Sequence, residues 1–188
     1  MTAASPGLTR DEWSLGIRWL VATTLGWVIG FAICAWQKAF FESFRSDGVV
    51  IGVCIGIAQA IALRGRVKHA GWWILASVIG FALGKFVADA VAASIAGALG
   101  FALGGFVIGV AVGAAQWLIL RRQVAQAGLW IPASALAWAV GWTIISSVAE
   151  VGPGPTASTY LIGATGAALA ALITGAALIG LRRPGLLE

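Results

Sequence analysis

Charge is scarce in this chain. Only 10% of its 188 residues are Asp, Glu, Lys or Arg, against 60% hydrophobic, and the mean hydropathy is +0.96. Soluble domains carry roughly a quarter charged residues because their surface faces water, so this thin a coat excludes a water-exposed globule of the same size. Histidine occurs once, at His69, in a loop beside basic residues. A histidine-based metal or haem site therefore has no second histidine to draw on. Cys34 and Cys54 both fall inside apolar runs and read as small packing residues ahead of a disulfide or metal role. Also missing are a Ser/His pair in the apolar segments, a carboxylate dyad, His-Glu-x-x-His, a phosphate loop and Cys-x-x-Cys. No enzyme and no cofactor is expected. The stretch Met1–Glu12 has no basic n-region or cleavage pattern, so no cleaved signal peptide is expected.

What is present is a succession of Gly- and Ala-rich apolar runs. A bilayer core of roughly 30 Å takes about 20 such residues per helix, and the spacing predicts an all-α integral membrane bundle of six transmembrane helices. They cover Trp13–Trp36, Gly48–Leu63, Trp72–Ala92, a fourth span ending at Leu120, Trp130–Val148 and Thr159–Leu181. A short amphipathic stretch, Gln37–Asp47, follows the first. A Gly-rich turn at Ala96–Gly100 parts the third from the fourth, and Pro153 and Pro155 end the fifth. The pI is about 10.0, but the basic residues lie in short loops rather than on an aromatic-studded face, which argues against nucleic acid. Arg10, Arg18, Arg64, Arg66, Lys68, Arg121, Arg122, Arg182 and Arg183 fall on one side of this topology, and Lys38, Arg45 and Lys85 on the other. The positive-inside rule then places both termini in the cytoplasm of a cell-membrane protein.

The most specific signal is internal. Residues 48–84 align without gaps to 105–141, and nineteen of the 37 positions are identical, among them Gln59/Gln116, Arg64/Arg121, Trp73/Trp130 and Ser77/Ser134. Compositional bias yields chance Gly and Ala matches, but not these residues in one register. A third copy is split between the ends of the chain. Trp19–Gly30 matches Trp73–Gly84 and Trp130–Gly141, and Gly166–Arg183 supplies the preceding helix, with Ala177 in the place of the glutamines. The expected organisation is a cytoplasmic tail over 1–12, a transmembrane domain over 13–183 and a tail over 184–188. Its repeats cover about 48–104, 105–158, and 159–183 completed by 13–47. Three hairpins of this kind imply a pseudo-threefold bundle in which the sixth and first helices pack without a connecting turn, through small residues such as Gly166 and Ala170. Gly48, Gly52 and Gly56 share a helix face, as do Gly105, Gly109 and Gly113, and small residues let backbones approach closely in lipid. These faces serve internal packing, self-association, or a gap for a lipid or pigment.

Candidate ligand-binding residues follow from polarity at depth. Gln59 and Gln116 sit five residues before an arginine, and a buried amide needs partners. Ser77 and Ser134 on the returning helices offer them, with Thr23 and Thr24 in the third copy. The pairing is interhelical glue or a substrate site. Lys85 and Asp89 are spaced i,i+4 and can form a salt bridge; an ionisable group within a membrane is a functional candidate, and a snorkelling surface pair is the alternative. Trp13, Trp19, Trp72, Trp73, Trp117 and Trp130 are expected as an aromatic belt near the cytoplasmic boundary, with Trp36 and Trp142 near the outer one. Trp27, Phe81 and Trp138 fall deeper, at equivalent positions, where they pack or wall a cavity for an apolar ligand.

The run Gln-Trp-Leu-x-Leu-Arg-Arg followed by Ala-Gly-x-Trp-x-x-Ala-Ser, at Gln116 to Ser134, resembles a group of small uncharacterised bacterial multi-pass membrane proteins. The resemblance implies a membrane bundle and brings no activity with it. The residues themselves favour a non-catalytic scaffold or accessory subunit of a membrane complex; a small transporter or channel for an apolar or small solute is the alternative. The implied partners are the lipid bilayer and either another membrane protein or a second copy meeting the Gly faces.

Overall fold

The computed structural model describes residues 7–40, 47–147 and 156–182. Six α-helices account for most of them: α1 Arg10–Phe40, α2 Asp47–Ala62, α3 Trp72–Ser94, α4 Gly97–Leu120, α5 Trp130–Ser147 and α6 Ala157–Arg182. Strands are absent from the described residues. All but α2 are long and apolar enough to cross a membrane. The expected amphipathic stretch at 37–47 is partly absorbed, since α1 runs on to Phe40 and α2 begins at Asp47. The rest of it, 41–46, lies outside the described residues, as do Arg45, Arg183, Pro153 and Pro155.

Local chemistry sets the ends. At the start of α1 the Glu12 carboxylate accepts the Thr9 backbone N–H at 2.7 Å and the Thr9 hydroxyl accepts that of Glu12 at 3.3 Å, a reciprocal capping box. The turn from α2 to α3 reverses through two left-handed residues, Gly65 (φ 78°) and His69 (φ 59°). Between α3 and α4 the chain needs only extended Ile95 and Ala96 before Gly97, at φ 72°, starts the next helix. The Gly-rich stretch expected as a turn there is therefore mostly the first turn of α4.

The helices stand in a ring, each packed on its neighbours in sequence, and α6 closes back on α1. Five of the six seams are made by glycine. Gly26 and Gly30 of α1 face Ile55 and Ile51 of α2; Gly48, Gly52 and Gly56 of α2 face α3; Gly80 and Gly84 of α3 face Val112 and Ile108 of α4. Gly105, Gly109 and Gly113 of α4 lie on α5, and Gly141 of α5 meets Gly166 of α6. A Cβ at most of these positions would come within 3 Å of the opposing backbone, so close approach is what the glycines provide. The sixth seam differs from expectation. Gly166 and Ala170 face Gly141 of α5, not α1; instead Gly163 and Gly175 of α6 receive the rings of Trp27 and Trp19. A backbone seam is replaced by two indoles seated in glycine notches.

No helix occupies the ring's axis, so side chains fill it. One buried cluster holds Trp19, Leu63, Trp73, Leu120, Trp130 and Leu178; the other holds Trp27, Ile55, Phe81, Ile108, Val112 and Trp138. Eight residues separate the aromatics of the two layers on α1, α3 and α5, roughly 12 Å along a helix. Outward faces are mostly apolar, with Val21, Leu25, Leu83, Phe86, Leu103, Leu136 and Leu161 all exposed, as suits hydrocarbon rather than water. At the end bearing the Leu63–Gly71 turn, Arg66 pairs with Asp11. The Gln123 amide brackets the Lys68 backbone, accepting its N–H at 2.7 Å and donating to its carbonyl at 3.2 Å.

The seams give a direct test. A Gly109→Ala Cβ would meet the Ser134 carbonyl and, at 2.5 Å, the Ala135 Cα, and overpacking of this kind costs about 1–3 kcal/mol. Gly180→Ala meets nothing within 4 Å among the described residues. Thermal unfolding in detergent should show a clearly lowered midpoint for the first and none for the second.

Candidate functional site

Between the two apolar layers lies a belt of buried polar side chains: Thr23, Gln59, Ser77, Gln116, Ser134 and Thr174. Hydrocarbon offers them no partners, so any that goes unpaired inside the protein is costly. The tryptophans of the first layer set the arrangement. Trp19, Trp73 and Trp130 are at most 1% exposed and meet one another edge to face, with centroids 5.9, 5.8 and 5.9 Å apart. An indole N–H can only donate. That of Trp73 goes to Gln59 Oε1 at 2.9 Å and that of Trp130 to Gln116 Oε1 at 3.0 Å, each from fourteen residues further along the chain. With their carbonyls turned to the indoles, the amides must donate the other way. Gln59 Nε2 reaches Thr23 at 3.0 Å and Gln116 Nε2 reaches Ser77 at 3.0 Å, with a longer contact to Gln59 Oε1 at 3.4 Å. Each glutamine thus ties the tryptophan of its own hairpin to a hydroxyl on a helix of another.

The third position breaks the pattern. Trp19 Nε1 donates to the Thr174 hydroxyl at 2.9 Å, so Thr174, not Ala177, stands in for the glutamines. Threonine is shorter, and Gly175 beside it clears the space into which the Trp19 ring advances. The Thr174 hydroxyl has one hydrogen, which goes back to the Ala170 carbonyl at 2.8 Å. Nothing remains to donate to Ser134, whose hydroxyl is buried without a partner among the described residues.

The sequence-derived candidates divide accordingly. Gln59, Gln116 and Ser77 join one network with Thr23. Ser134 belongs to the belt but stays outside the bonding, and the Thr24 hydroxyl is buried and unpaired. Trp27, Phe81 and Trp138 share the second layer; Phe81 and Trp138 meet edge to face at 4.9 Å, while Trp27 stacks on Phe31 at 4.9 Å. The Trp27 N–H has no partner among the described residues. Lys85 and Asp89 are remote from the belt and pair with each other at 2.6 and 2.7 Å on the outer surface of α3. The aromatic-belt expectation needs correction. Trp13, Trp36 and Trp72 are exposed, but Trp19, Trp73 and Trp130 lie on the bundle axis, and Trp142 packs against the second layer. Trp117 is half-buried under Arg121, whose guanidinium lies 5.4 Å from the ring centre. Adjacent residues on a helix point about 100° apart, so Trp72 faces outward where Trp73 faces the axis.

Chemically, the arrangement holds no nucleophile–base pair, and three or more metal-ligating side chains come together nowhere among the described residues. Its polar groups are neutral, and nearly all are consumed by one another. No protein-family model matches the chain, and neither a curated protein nor a solved structure does.

Gln116 carries three of the contacts, so Gln116→Leu should strand the Trp130 N–H and the Ser77 hydroxyl. Interhelical hydrogen bonds in membranes average below 1 kcal/mol each, with about 1–2 at the upper end. A loss of about 1–2 kcal/mol is expected in unfolding experiments, together with a changed near-ultraviolet dichroism from the three coupled indoles. Trp73→Phe, which keeps the ring and removes one donor, should cost less.

Proposed function

We propose that this chain is a non-catalytic scaffold or accessory subunit of a membrane complex, spanning the cell membrane six times with both termini in the cytoplasm. One observation carries the reading: the axis along which a solute would move is plugged by Trp19, Trp73 and Trp130 in mutual contact. Glutamines lock that plug from outside it. A path past three such rings would require breaking the network, whereas a rigid, filled bundle suits a protein that positions others. The glycine faces are occupied within the chain, so a partner or second copy would meet a different surface.

The sixth span in this reading is α2. Its 16 residues give roughly 24 Å of helix, short of a full bilayer core but extended by the turn at Leu63. It shares the glycine register of α4 and lies between α1 and α3 in the ring. The same reading takes the bundle as three repeated hairpins. Its support is the nineteen identities between 48–84 and 105–141, the fourteen-residue glutamine-to-tryptophan link in both, and the packing of α6 on α1. A second reading, a small transporter or channel, draws on the unpaired Ser134 hydroxyl and Trp27 N–H, which an incoming small molecule could satisfy.

Two experiments bear on this. Single cysteines introduced into a background lacking Cys34 and Cys54 should label with an impermeant reagent from outside at Ser158 and not at His69 or Gln126. Labelling of the 64–71 turn from outside reverses the orientation. Purified protein in proteoliposomes should show glycerol and ion permeation no faster than protein-free vesicles, and should co-purify with a stoichiometric membrane partner. Saturable permeation above the empty-vesicle rate would overturn the scaffold in favour of the transporter.

A further inference from the structure

Arg18 is an anomaly on the outer face of α1, which otherwise exposes Trp13, Ile17, Val21, Leu25 and Ile29. It precedes the buried Trp19 by one residue. The residues in the same place before Trp73 and Trp130 are Trp72 and Leu129, exposed to 62% and 47%, which shows that this register points outward. Arg18 is exposed too, and it has no ion-pair partner among the described residues. It lies two turns inside the start of α1. A cation there, on a face otherwise given to hydrocarbon, is costly unless it reaches the interface or meets an anion.

Arg18 also closes one end of a furrow. Between α1 and α2 runs an open groove of about 730 Å³. Its walls are the exposed Val21, Leu25 and Ile29 on one side and Ile57 and Ile61 on the other. Among the described residues Arg18 is the one charged residue that lines it. An apolar channel running down the hydrocarbon-facing surface, with a single unpaired cation at its mouth, has the charge and shape of an anionic phospholipid. The acyl chain fits the groove and the phosphate fits the guanidinium, whose donors match phosphate oxygens in pairs.

We propose that the α1–α2 groove is a binding site for an anionic phospholipid, with Arg18 holding the headgroup phosphate. This rests on the chain spanning a bilayer. The test uses full-length protein reconstituted into vesicles of equimolar phosphatidylglycerol and phosphatidylcholine, re-extracted gently, with retained lipid counted by native mass spectrometry. Wild type should retain phosphatidylglycerol over phosphatidylcholine. Arg18→Gln should lose that preference about fivefold, the scale of one cationic side chain at an anionic surface, while Lys85→Gln keeps it. Near-ultraviolet dichroism of the indole triad reports whether each variant is folded. An unchanged preference in folded Arg18→Gln, or no preference in wild type, overturns the site. Failure of wild type to remain with the vesicles at all would instead overturn the membrane reading.

Discussion

An indole N–H buried in hydrocarbon has one requirement, an acceptor, and the arrangement of this bundle follows from meeting it three times on one axis. Trp19, Trp73 and Trp130 are large enough to fill a ring of six helices that has no central helix, but each brings a donor that lipid cannot satisfy. Gln59 and Gln116 solve this with a side chain that accepts at one end and donates at the other. Using the acceptor on the indole leaves the amide hydrogens facing inward, and they in turn require Thr23 and Ser77. The hydroxyls, the amides and the rings are therefore one commitment rather than three.

The glycine seams serve the same end. For a fourteen-residue link to close, α2 must lie near enough to α3, and α4 to α5, for an amide on one to reach an indole on the next. Gly52 and Gly56 lie directly against Ser77, and Gly109 and Gly113 against Ser134, so the closest backbone approach falls at the depth of the polar belt. Without a hydrophobic force between helices in lipid, that contact and the hydrogen bonds must together hold the ring. At the α6–α1 seam the same result is reached differently: the acceptor is short, the backbones stay apart, and Trp19 leans across on to Gly175.

Much of this was legible in the sequence, and the exceptions have physical causes. The glutamines, the serines and the glycine faces could be read because the same residues recur in one register, 57 residues apart. The tryptophans were misplaced because distance from a basic turn gives depth but not direction. Trp72 and Trp73 lie at one depth, and only the helix face separates a lipid-facing ring from an axial one. The glycines at 80 and 84 mark the face of α3 that packs on α4, and a helical wheel centred on them would have turned Trp73 inward. Thr174 was hidden for another reason. An ungapped alignment carries the glutamine position to Ala177, but the acceptor in α6 lies three residues earlier. No residue pattern announces that a different side chain, reaching from a different register, can meet the same donor.

The Trp19–Thr174 bond has a consequence in time. Its partners are 155 residues apart, while Trp73 and Trp130 find their glutamines within a single hairpin. A ribosome adding about 5–20 residues per second delivers the acceptor on the order of ten seconds after the donor. Over that interval the Trp19 N–H is without its acceptor, although Thr23 on the same helix can already meet Gln59, 36 residues on. The bond between α6 and α1 is thus the last of the three indole bonds whose partners can meet.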